Sequence, residues 1–76
     1  MKLSNIKSKR VVKAFIKMGL KKIDQTGSHV ILKGELHGEK KTIVIPIHNK
    51  EIPVGTLTDI INNQAKISRR EFFKHY

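Results

Sequence analysis

A chain of 76 residues has room for one small hydrophobic core, so it is read as a single domain spanning residues 1–76, stabilised by any partner that covers apolar surface. With no cysteine it is neither a disulfide scaffold nor a thiolate zinc protein, and it fits a reducing cytoplasm. Sixteen lysines and arginines against six acids leave a formal charge of +10, which suits nucleic acid, an acidic protein, or simply a solvated lysine-rich surface.

In chain order, Ser8 is a candidate N-cap, and Val11, Val12, Phe15 and Ile16 recur at helical spacing before a glycine stop at Gly19. A helix with a basic outer face is therefore predicted over residues 8–18. Lys13 and Lys17 interrupt the apolar stretch, as a signal-peptide core or a membrane span would not allow, so the expected location is cytoplasmic with no membrane partner. From Leu20 the period changes to two. Residues 20–25, 28–33 and 41–47 read as strands, separated by Thr26-Gly27 and by Leu36-His37-Gly38-Glu39, and both separators are short enough for hairpins. Pro46 cannot donate to a ladder, so its nitrogen should face away from a partner strand or sit at the strand end.

Pro53 and Gly55 break the chain, and Gly55 or Thr56 then caps a second helix to about residue 65, carrying Leu57, Ile60 and Ile61 at i, i+3 and i+4. Ser68 with Glu71 reads as a capping box for a short third helix with Phe72 and Phe73. The expected fold is α+β: helices on one face of a three-stranded antiparallel sheet, in the order α-β-β-β-α, with a short C-terminal helix.

Parity places His29. If opposed residues of the second and third strands sum to about 75, Val30 meets Ile45, Leu32 meets Ile43 and Ser28 meets Ile47, which gathers the aliphatic residues beneath the helices. His29 then lies on the other face, opposite Pro46 and diagonal to His48, on an open surface shared with Ile31, Lys33, Thr42 and Val44. Two neighbouring aliphatics on a solvent face, Ile31 and Val44, suggest a contact surface.

The run Gly27-Ser28-His29 after a hairpin turn, followed by Ile45-Pro46-Ile47-His48-Asn49-Lys50-Glu51-Ile52-Pro53-Val54-Gly55-Thr56-Leu57 and by Ile67-Ser68-Arg69-Arg70-Glu71-Phe72, resembles the HicA messenger-RNA interferase family. The resemblance covers nearly the whole chain. It implies a fold similar to the double-stranded-RNA-binding domain, a toxin of a toxin–antitoxin system acting as an endoribonuclease on messenger RNA, a catalytic histidine that maps onto His29, and a HicB-like antitoxin as partner. Two positions depart from the family: Val30 stands where many relatives carry a second histidine or another polar residue, and Asp24 where a basic residue is common.

The chemistry expected of such a site is within reach of these residue types. An imidazole titrates near neutrality and can accept the proton of an RNA 2′-OH attacking the adjacent phosphate, or protonate the leaving oxygen. Lys33, Lys41 and Lys50 are candidates to bind RNA and to stabilise charge on the phosphorane. Because the substrate supplies its own nucleophile, no cofactor or metal is required, and the histidine spacings match no metal-ligand pattern. His48 suits either an acid/base partner for His29 or the end of a strand. Gly27 is expected at a positive-φ turn and Gly55 at the start of a helix, both as scaffold. If a HicB-like antitoxin covers the His29 face, Ile31 and Val44 are its expected apolar anchors. Two other readings stand beside the nuclease: a non-catalytic double-stranded-RNA-binding module, which needs no histidine, and an interaction protein whose charge only recruits an acidic partner.

Overall fold

The computed structural model describes residues 5–76. The first helix, α1, runs Ser8–Lys17 and buries Val11, Ala14 and Phe15 while Lys9, Arg10, Lys13 and Lys17 stay in solvent. It ends as Gly19 predicted: Gly19 N–H donates to Ile16 O at 3.0 Å and Leu20 N–H to Phe15 O at 3.1 Å, with Gly19 at φ 113. That is a Schellman stop, with buried Leu20 as its hydrophobic closure. The helix start differs from expectation. Ser8 is the first helical residue, not the cap, which is Lys7. Ser8 is buried, and its hydroxyl donates to Asn49 O at 2.9 Å, while its amide donates to Lys50 O at 2.9 Å. The side chain thus ties the helix to a distant loop instead of satisfying its own first turn.

Three strands follow, β1 Lys21–Thr26, β2 His29–Leu36 and β3 Glu39–Pro46, in the sheet order β1-β2-β3. The β2–β3 register has the expected sum: His29 faces Pro46, Val30 faces Ile45 and Leu32 faces Ile43. It is set by a two-residue turn in which His37 (φ 55) and Gly38 (φ 79) both have positive φ, the handedness that matches strand twist. The tightness of that turn carries both strands past their predicted ends. In contrast, β1 does not alternate cleanly. Lys21 and Lys22 pair with Lys33 and Leu32, but the register then shifts so that Asp24 pairs with Ile31 and Thr26 with His29. Ile23 is the extra residue of this bulge and is 56% exposed.

The second helical region has two parts, α2 Val54–Asp59 and a π-helical segment Ile60–Ala65. Its start corrects the expected cap: Pro53 occupies the N-cap position, and Gly55 is already the second helical residue, without positive φ and with open space where a Cβ would stand. Asn63 and Gln64, four and five residues on, both donate to the Asp59 carboxylate, at 2.7 and 3.4 Å. Gln64 also accepts the outward N–H of Val44 at 2.9 Å, so a helix side chain occupies the outer edge of β3. Pro46, two residues on, points its donorless nitrogen the same way.

The last helix, α3, runs Arg69–His75. Ser68 caps it by accepting from Glu71 N–H at 3.0 Å. The Glu71 carboxylate does not complete the box and instead meets His37 Nε2 at 2.8 Å, joining α3 to the β2–β3 turn. Phe72 is buried beside Phe15, Phe73 and Tyr76, with ring centroids 5.1–5.8 Å apart across the group. Tyr76 closes over α1, where Arg10 stacks on its ring at 4.0 Å and Lys7 N–H donates to its hydroxyl at 2.9 Å. The result is the expected α-β-β-β-α sandwich. The helices bury Val30, Leu32, Ile43 and Ile45, whereas β1 is exposed along its whole length.

Candidate active site

The open face of the sheet is laid out in rows by the register. The first row is Thr26, His29 and Pro46, the second Asp24, Ile31 and Val44, the third Lys21, Lys33 and Thr42. His29 opens β2 directly after the Gly27-Ser28 turn, where the φ of 54 at Gly27 makes the hairpin possible without Cβ strain. Its side chain is exposed, flanked by a small hydroxyl residue and a ring that carries no donor. Ser28 Oγ lies 3.4 Å from His29 Nδ1, a long contact whose donor depends on the tautomer, and Nε2 has no hydrogen-bond partner among the described residues.

The bulge decides what stands near this imidazole. Had the register of Lys21 and Lys22 continued, Asp24 would fall on the helix side; the extra residue Ile23 turns it onto the His29 face instead. Diagonal neighbours across two strands have side chains about 7–8 Å apart, so Asp24 is the nearest acid on that face. Its carboxylate accepts the Gln25 N–H at 2.8 Å. The bulge therefore sets an acidic residue beside His29.

The three candidate lysines separate. Lys33 shares the His29 face but lies two rows away, about 13 Å along the strand, too far to share one bound group with the imidazole. Lys50 is exposed in the loop after β3, beside His48 and Asn49 in one groove. Lys41 joins neither. It pairs with Gly34 on the helix side of the sheet, its side chain is only 9% exposed, and its ammonium is held by Glu39 at 3.0 Å. His48 lies beyond the end of the ladder, exposed, with no hydrogen bond to His29 among the described residues. Ile31 is half-buried and Val44 is 37% exposed, adjacent to each other and one row from His29.

Among the described residues no three His, Asp or Glu side chains converge as metal ligands, and no helix is long and apolar enough to cross a membrane. Residues 8–67 match the family model described as the HicA toxin of bacterial toxin–antitoxin systems. No curated protein matches the chain closely enough to count as a relative.

Proposed function

The chain belongs to the HicA toxin family, and from that premise we propose that it is an endoribonuclease that cleaves messenger RNA with His29, without metal, and is restrained by a HicB-like antitoxin. The observation that carries the reading is the accessible imidazole of His29 on an open sheet face, within a Gly-Ser-His turn. In the cleavage step His29 takes the proton of a 2′-OH as that oxygen attacks the adjacent phosphorus, or gives a proton to the departing 5′-oxygen; the P–O5′ bond breaks and a 2′,3′-cyclic phosphate remains. Lys50 and Lys33 hold flanking phosphates. The antitoxin covers the His29 face, with Ile31 and Val44 as its apolar anchors.

The test is cleavage of a defined single-stranded RNA by wild type and His29→Ala. The variant should lose at least about 100-fold in rate and keep the wild-type melting temperature, because an exposed side chain contributes little to packing. A 2′-deoxy substitution at the cut position should block the reaction, and a chelator should not. Wild-type cleavage by His29→Ala would end the assignment, and salt-dependent duplex binding without products would assign a non-catalytic RNA-binding module instead.

A further inference from the structure

We propose a second RNA-contact site, a lysine-walled groove between α1 and β1 on the helix side of the sheet, which takes the phosphates of single-stranded RNA flanking the cleaved position. The inference rests on the nuclease reading above and extends it to residues that neither the Gly-Ser-His turn nor the open face contains.

The groove exists because α1 packs over β2 and β3 and leaves β1 uncovered. Its floor is apolar, formed by Val12, Val30 and Ile47, and its walls carry Lys9, Lys13 and Lys22. At Lys9 and Ile47 it continues into a second stretch of about 390 Å³ that reaches His48 and Lys50. No carboxylate lines either stretch among the described residues. Lys22 is held in place by Gln25, whose Oε1 accepts its ammonium at 2.7 Å, so this charge is aimed without being neutralised. Lys9 and Lys13 are four residues apart on one helix face, about 6 Å, a separation comparable with that of successive phosphates along a strand.

Two features favour RNA over an acidic protein. The groove meets the catalytic hairpin directly, since Ile47 N–H donates to Ser28 O at 2.6 Å, so a strand leaving His29 passes over the end of the sheet at His48 and enters it. A floor of aliphatic side chains between rows of ammonium groups also suits a chain whose sugars and bases are apolar-faced and whose charge repeats at each unit.

The probe is a 2′-O-methylated single-stranded RNA of about 12 nucleotides, which cannot cleave itself and so reports binding alone. For Lys9→Gln/Lys13→Gln/Lys22→Gln the slope of log affinity against log salt should become shallower by about 2, and affinity near 0.1 M salt should fall about tenfold or more. Arginine at the same three positions should restore both. Lys66→Gln/Arg70→Gln/Lys74→Gln, with the same loss of charge at residues that line neither stretch of the groove, should change the slope by less than about 0.5. Equal effects of the two triple variants, or wild-type binding by the groove variant, would overturn the site. So would retained RNA binding with lost binding of poly-glutamate, which would make the groove a protein contact. Cleavage assays on the same proteins separate the two readings. Loss of cleavage in His29→Ala with no effect of the groove variant leaves the nuclease and removes the groove; a groove-dependent slope in a wild type that never cleaves does the reverse.

Discussion

At the scale of single residues, what could be read in advance was whatever followed from parity. His29 could be placed in the open because a two-residue turn at His37-Gly38 leaves one register that collects Val30, Leu32, Ile43 and Ile45 together. The same rule bears on Lys41, which has the parity of Ile43 and Ile45 and so belongs to the helix side; as a candidate beside His29 it conflicted with the register already inferred. Asp24 was beyond this reasoning, because its face depends on one inserted residue, and nothing in Lys-Lys-Ile-Asp-Gln-Thr marks Ile23 as the bulge. The parity argument also yields a test of the partner surface. Ile31 and Val44 sit side by side next to His29, so a carboxylate at either position would be left desolvated under a covering antitoxin. Ile31→Asp and Val44→Asp should each weaken binding of the cognate antitoxin by at least about tenfold, more than 1.4 kcal/mol. Titration calorimetry with purified antitoxin measures this, and unchanged affinity in both would remove the pair from the interface.

At the scale of elements, the helices and hairpins were legible and their ends less so. Gly19 stops α1 because a Schellman turn needs positive φ there, but Ser8 binds a loop some forty residues away, a tertiary contact that local capping rules do not contain. The π segment was equally hidden, since Ile60 and Ile61 suit α-helical spacing as well. Two backbone positions have opposite predicted effects. A Cβ at Gly34 would lie 2.8 Å from Leu20 Cδ2, 3.0 Å from Leu20 Cα and 3.1 Å from Gly19 O. Two of these are backbone atoms that cannot swing aside, so Gly34→Ala should destabilise by about 1–3 kcal/mol. Lys66 holds a left-handed conformation, φ 56 and ψ 49, at the end of the π segment. Lys66→Gly should relieve that and stabilise by about 0.5–1 kcal/mol, the unfolded-state entropy of glycine offsetting part of the gain. Urea unfolding of both variants checks the signs, and a stable Gly34→Ala would mean that the Gly19-Leu20 crossing has room to move.

For the whole molecule, charge sets the response to pH and salt. At a formal +10 the folded chain repels itself, and its six acids are the counterweights. Glu39 is held below the ordinary glutamate range, first by its hydrogen bond from Lys41 and then by that ammonium's charge, with Lys66 and His37 adding to it. A depressed folded value means that the pair stabilises the protein above the ordinary glutamate range and ceases to do so as pH falls through the folded value. The melting temperature of Glu39→Gln should therefore lie slightly below wild type near neutrality, by the small amount a pair with a solvent-exposed carboxylate allows, with the two curves converging in acid. A constant gap across that range would place the effect elsewhere.

The two outer edges of the sheet are unlike in a way that bears on how copies of this chain meet. On β3 the Val44 donor is already taken by Gln64 and Pro46 has none to offer, while on β1 the edge is open, though kinked by its bulge and studded with Lys21 and Lys22. A polymer needs monomers that react at both ends. With the β3 edge obstructed at Val44 and Pro46, strand-to-strand accretion through that edge is disfavoured beyond a joined pair, so high local concentrations should not seed fibres from the folded state.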